Sequence, residues 1–83
     1  PLEVVQSRPV LEVASADWCG PCQQFWQDLR AAGDVGVEVR RVSFSSRIPA
    51  FRWTTSDGKT QTQTGYTRGT LRALLLRVIE GKP

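Results

Sequence analysis

Residues 10–33 read VLEVASADWCGPCQQFWQDLRAAG, and the reading of this stretch decides the fold. Val10 to Ser15 is a short apolar run bounded by Pro9 and Asp17, which predicts a strand of about six residues ending at the cysteines. From Gly20 to Ala32, Cys22, Phe25, Trp26 and Leu29 recur at steps of three, one and three, the spacing of one helical face. Pro21 sits where the first turn of a helix tolerates proline, and Gly33 follows the last turn as a C-cap does. A strand therefore feeds directly into a helix, with Trp18-Cys19-Gly20-Pro21-Cys22 at the junction.

That junction has a chemical rationale. A helix N-terminus presents unpaired N–H groups and a partial positive charge, which stabilise a thiolate and lower the pKa of the first cysteine. Cys19 is the expected nucleophile. Cys22, one turn on, is close enough to attack a mixed disulfide formed by Cys19 and is the expected resolving thiol. Gly20 and Pro21 allow the tight turn without obstructing either sulfur. Asp17 either tunes the thiol electrostatically or is a solvated loop charge.

Downstream, Val35 to Phe44 is rich in valine and predicts a second strand, with Arg40-Arg41 marking it as an edge where charge deters pairing with other chains. Phe51 to Thr55 and Lys59 to Thr64 flank Ser56-Asp57-Gly58, a strong hairpin signal. Thr67 is placed to cap a final helix whose apolar stripe is Leu71, Leu74, Leu75, Val78 and Ile79. The order is β-α-β-β-β-α. Phe25, Trp26, Phe51 and Trp53 are expected in the core. Alternation in the strands turns Leu11, Val13, Phe51 and Trp53 toward the helices and Glu12, Arg52 and Thr54 away.

Composition bounds the remaining classes. The chain has 83 residues, 40% apolar and 23% charged, enough for one compact domain over residues 1–83 and too few for two. No apolar stretch approaches the ~20 residues of a membrane span, so no membrane partner is expected. No basic head and apolar run open the chain, so no secretory signal is expected, although a mature form already cleaved would look the same. Eleven Lys and Arg against eight Asp and Glu give a net charge of +3. The arginines are spread along the chain rather than clustered, so no nucleic-acid partner is expected. With two cysteines and no histidine, one chain cannot assemble a four-ligand structural zinc site, and no metal or other cofactor is expected.

A Cys-x-x-Cys alone is moderately specific, since half zinc sites share it; Trp-Cys-Gly-Pro-Cys after a strand and opening a helix is much more so. Here the sequence resembles the thioredoxin family. VLEVASADWCGPC looks like that family's central strand and active site, Ile48-Pro49 matches its cis-proline position, and Asp57-Gly58, Gly65 and Thr67 to Leu71 match its final hairpin and helix start. The similarity runs from Val10 to Gly81. The resemblance implies a minimal α/β thioredoxin fold: a four-stranded mixed sheet with two helices mainly on one face. It implies a cis Pro49, leaving the Ile48 backbone free to pair with an extended substrate peptide, and a substrate site formed by Trp18, Gly20, Pro21, Ile48, Pro49, Gly65 and Tyr66, in which Trp18, Ile48 and Tyr66 either rim a shallow groove beside the thiols or are simple surface or core apolar residues.

Two departures are visible. Only nine residues precede Val10, too few for the family's additional N-terminal strand and helix. Ser45-Ser46-Arg47 and Ile48-Pro49 replace the helix the family places between the strands at Val35–Phe44 and Phe51–Thr55. In the family's sheet these strands flank the central one, so the link must cross about 9.6 Å, twice the spacing of about 4.8 Å, and the steps from Phe44 to Ile48 reach about 13 Å. A third difference lies six residues before the first cysteine. There the family commonly holds a buried acid that helps deprotonate the resolving cysteine, and this chain has Val13.

The expected function is a thiol–disulfide oxidoreductase that reduces protein disulfides and is re-reduced by a thioredoxin reductase or a small thiol. Gly-Pro between the cysteines resembles the family's reducing members and implies a reducing compartment such as the cytoplasm. A monomer is expected. Two alternatives stand beside this: a glutaredoxin-like exchanger working with glutathione, and a binding module in which the disulfide is incidental.

Overall fold

The computed structural model describes residues 8–83. Most of the segment before Val10, on which the readings of a missing signal and a missing strand and helix rest, lies outside the described residues. The elements are β1 (Val10–Ala14), α1 (Gly20–Ala32), β2 (Glu38–Arg41), β3 (Ala50–Thr54), β4 (Thr60–Thr64) and α2 (Leu71–Glu80). They form an α/β arrangement with one mixed sheet in the order β2-β1-β3-β4. β1 runs parallel to β2, with Leu11 opposite Val39, and antiparallel to β3, with Val13 opposite Phe51. β3 and β4 form the expected hairpin.

Strand alternation sorts the two faces. Leu11, Val13, Phe51 and Trp53 point to one side and join Phe25 of α1 and Leu71, Leu74, Leu75 and Val78 of α2 in a single buried core. Both helices therefore pack on the same face. On the other face the half-buried Arg52 donates from Nε to Glu12 Oε1 at 2.7 Å, across the β1–β3 register that sets these two residues opposite each other. This pair holds the Glu12 carboxyl below its ordinary range, the Arg52 hydrogen bond being the largest cause.

That open face is not bare throughout. The guanidinium of Arg52 lies 4.3 Å from the centre of the Phe44 ring, so the segment joining β2 to β3 passes over this side of the sheet. Ala14 and Ala50, paired in register on the same face, are fully buried. Ser45 Oγ, accepting from Arg47 N at 3.1 Å, shapes the turn. The link thus bridges β1 as the distance argument requires.

Several boundaries differ from the sequence reading. β2 is shorter than Val35–Phe44, because Gly36 adopts a positive φ of 72° and donates to Asp34 Oδ1 at 3.0 Å in a turn. At its other end Val42 N still bonds Val13 O at 2.9 Å before the chain leaves the ladder. Thr67 does not cap α2. The N-cap is Thr70, without a side-chain cap bond, and its hydroxyl instead donates to Thr67 O at 2.6 Å. Ile79 is 47% exposed: a ten-residue helix lying on one sheet face buries positions i, i+3, i+4 and i+7, and the position after them rolls out to water. Trp26 is half-buried, with its Nε1–H on Ser15 Oγ at 2.9 Å, so its ring serves the core and its nitrogen the end of β1.

The end of the sheet opposite the cysteines is tied by the chain's C-terminus. Trp53 Nε1 donates to Lys82 O at 2.8 Å, and Ser56 N donates to Gly81 O at 2.9 Å. Gly81 ends α2 in the left-handed region at φ 66°, and a Cβ there would lie 2.8 Å from Ser56 N. Gly81→Ala is therefore expected to lower stability to urea by about 2–4 kcal/mol, because backbone strain and a clash with main chain add. Gly58→Ala, also at positive φ but with nothing nearby, should cost only about 1–2 kcal/mol. Equal losses would refute the contact's role. The Glu12–Arg52 pair also has a pH signature. With the folded pKa of Glu12 depressed, its contribution is present above the unfolded value of about 4 and is lost as pH falls through the folded value. Glu12→Gln should accordingly flatten the dependence of Tm on pH in that acid range and leave its slope near neutrality unchanged.

Candidate functional site at the strand–helix junction

The junction after β1 is built by a few backbone contacts. Cys19 N donates to Ala16 O at 3.2 Å, closing a turn, and Gln23 N donates to Cys19 O at 3.0 Å, opening the helix. Cys19 is the N-cap of α1, with extended φ −88° and ψ 112°. Its Sγ accepts from Cys22 N at 3.2 Å, so the sulfur occupies the place a serine or aspartate oxygen takes in most caps. Pro21 falls in the first turn, where its missing N–H removes a donor that has no helical partner.

Cys19 and Cys22 are joined in a disulfide with a Cα–Cα separation of 5.2 Å. Both sulfur residues are shielded, but unequally: Cys19 keeps 5% of its surface and Cys22 none. The order matches the roles read from the sequence. Gly20 and Pro21 are exposed, and Trp18, at 81% exposure, projects into solvent immediately before the cap. A pair of this spacing, its less shielded member capping a helix N-terminus, is compatible with redox chemistry.

Other residues singled out in the sequence reach the same end of the sheet by register. Ala50 pairs with Ala14, which sets Pro49 beside the residues that lead from β1 into the cysteine turn. The Ile48–Pro49 peptide bond is cis, as the sequence resemblance implies. Pro49 is fully buried and Ile48 half-buried. Gly65, at φ 86°, donates to Pro49 O at 2.8 Å, which extends the hairpin ladder to this end and leaves Gly65 exposed.

Tyr66 is engaged elsewhere on the helix. Its ring stands edge-on to Phe25 at 5.4 Å, and its hydroxyl donates to Asp28 Oδ2 at 2.5 Å. Burial, and then this bond to a carboxylate, push the Tyr66 hydroxyl pKa well up. Asp28 is held below its ordinary range, chiefly by Tyr66, with Gln24 Nε2 donating to Oδ1 at 2.8 Å and the Gly69 N–H adding to it. The side chain thus couples the loop after β4 to the second and third turns of α1.

Two residues reach this turn that the sequence does not connect to it. Arg41 reaches from β2 to Asp17 Oδ1 and Ser15 O, each at 3.4 Å, so the turn before Cys19 carries an ion pair. Gln23 reaches back with Nε2 to Asp17 O. The Gln24–Asp28 spacing of four residues is one that sequence alone can show as a helix pair, whereas Arg41 is marked locally only as an edge charge and nothing local marks its meeting with Asp17 or Ser15. Among the described residues no group of three or more His, Cys, Asp and Glu is placed to hold a metal ion, and no helix is long and apolar enough to cross a membrane.

Burial and capping predict which thiol reacts after reduction. A limiting amount of iodoacetamide should alkylate Cys19 ahead of Cys22, and its rate should titrate below the free-thiol pKa of about 8.5, because the Cys22 N–H and the helix terminus favour the thiolate. Peptide mapping by mass spectrometry across pH reads this directly, and preferential labelling of Cys22 would reverse the two roles. Compared with known proteins, the chain matches no family model and no curated protein, so the functional reading rests on the site itself.

Proposed function

We propose that the protein is a thioredoxin-like thiol–disulfide oxidoreductase that reduces disulfides in extended protein segments. The observation that carries this reading is Cys19 acting as the N-cap of α1, with its sulfur accepting the Cys22 N–H. In the reduced protein the same N–H faces a Cys19 thiolate. Attack of that thiolate on a substrate disulfide forms a Cys19–substrate bond and expels one substrate thiolate. Cys22 then attacks Cys19 Sγ, which closes the Cys19–Cys22 disulfide and expels the second substrate thiolate. The substrate gains two electrons, the pair loses two, and the protons of the two cysteines end on the released thiols. A two-electron donor, a thioredoxin reductase or a small thiol such as glutathione, returns the pair to the dithiol.

Substrate would lie across the exposed Trp18 and the Ile48–Pro49 segment. Pro49 gives no N–H, and its carbonyl is already taken by Gly65, which leaves the Ile48 main chain for an incoming strand. Trp18 supplies an apolar contact at the edge of the sulfurs. A cytoplasmic setting belongs to this same reading, because a dithiol reductant works where thiols are kept reduced.

The position of Val13 shapes the kinetics. It is fully buried on the helix face of β1, where the family commonly holds an acid. Glu12 cannot stand in, since it lies on the opposite face with its carboxylate on Arg52. Cys22 is fully buried, and an apolar setting disfavours its thiolate. Resolution of the mixed disulfide is therefore slower near neutral pH than the initial attack. Stopped-flow decay of the mixed disulfide should be faster in Val13→Asp by about tenfold or more, with a loss of thermal stability from burying a carboxyl. Equal decay rates across pH would show that the absent acid has no consequence here. Turnover of a protein disulfide should require both cysteines. Coupling to reductase or to glutathione distinguishes the two donors, and retention of all function in the Cys19→Ser, Cys22→Ser double variant would establish a binding module instead.

A further inference from the structure

The two edges of the sheet are built differently. β2 carries Glu38, Arg40 and Arg41 in four residues, charges of the kind that discourage a further strand. β4 reads Thr-Gln-Thr-Gln-Thr over Thr60–Thr64, with no charge, proline or glycine. Its outer edge is unpaired among the described residues.

The hydrogen-bond phase of the hairpin shows which groups that edge offers. Thr55 N donates to Lys59 O at 2.7 Å, and Gly65 N donates to Pro49 O at 2.8 Å. Bonded pairs in an antiparallel ladder alternate, so between these limits Gln61 and Gln63 turn their main-chain groups inward, to Trp53 and Phe51. Thr60, Thr62 and Thr64 turn theirs outward. Their side chains are exposed on the face away from the helices. Among the described residues the Thr62 carbonyl meets only the Gln61 side chain, at 3.4 Å, too long to satisfy it.

We propose that this edge joins two copies of the chain, β4 pairing antiparallel with β4 about a twofold axis at Thr62, in place of the expected monomer. The argument for a second copy rather than another strand is that the segment is a palindrome. Pairing about Thr62 sets Thr60 against Thr64, Gln61 against Gln63 and Thr62 against itself, so like meets like as an isologous interface demands. Each threonine pair then exchanges both main-chain bonds, and cross-strand threonines are favourable neighbours. Lys59 falls opposite Gly65 of the second copy, where no side chain opposes its charge. The result is one continuous eight-stranded sheet, with both copies' helices on the same side and the two cysteine pairs at opposite ends.

The test is sedimentation equilibrium of the full chain from about 10 μM to about 1 mM, joined to amide exchange. The expected result is a reversible monomer–dimer equilibrium, with the amides of Thr60, Thr62 and Thr64 becoming protected as concentration rises. Thr62→Lys and Thr62→Glu each place like charges in direct opposition and should weaken dimerisation about tenfold or more. Mixing the two variants should restore association, which an unfolded variant cannot do. A monomer throughout the range, a dimer in which these amides stay unprotected, or a dimer indifferent to both Thr62 variants would overturn the proposal.

Discussion

Five residues separate the end of β1 from the first residue of α1, and within them the chain must turn from strand to helix without stranding the amides of the first turn. The Cys19 sulfur meets that constraint by accepting the Cys22 N–H, while Pro21 removes a donor that would otherwise need a partner. Sulfur is a weak acceptor when neutral and a strong one when ionised. The local need for a cap therefore points the same way as the thiolate chemistry of the proposed function.

The rest of the frame serves to hold that turn still. β1 is the inner strand that carries it, buried through Leu11 and Val13 against Phe25 and Phe51 on one side. On the other side the Glu12–Arg52 pair, with the Phe44 ring against Arg52, adds to its shielding. The link that changes strand thus also contributes to this face, through Phe44 on Arg52.

What the sequence disclosed and what it withheld divide along contact range. The α1 face through Cys22, Phe25 and Leu29, the Asp57-Gly58 hairpin and the edge character of Arg40-Arg41 are local patterns, and each is present in the structure. The order of β2, β1 and β3, and the cis bond before Pro49, came from likeness rather than from any local pattern. Tyr66 on Asp28, Trp26 on Ser15 and Arg41 on Asp17 span 38, 11 and 24 residues of chain, and no periodicity encodes such meetings. The start of α2 was misplaced for a related reason: Thr67 and Thr70 are equally good caps by composition, and the choice between them is made by a turn that uses the Thr67 carbonyl.

These long-range contacts also explain why the cysteine end and the far end of the molecule are secured separately. At the far end Gly81 and Lys82 lock the end of α2 to the hairpin through Ser56 and Trp53, and nearer the middle of the sheet Arg77 bonds Gln63. At the cysteine end Gly65 bonds Pro49, Arg41 bonds Asp17, and Gln23 returns to the same turn. None of those contacts uses the disulfide as its support. Opening the Cys19–Cys22 bond therefore removes one covalent tie from a turn that its neighbours already position, so both oxidation states can share one frame. The proposed redox cycle is compatible with that independence, because structure resting on the bond itself would be lost each time the bond opened.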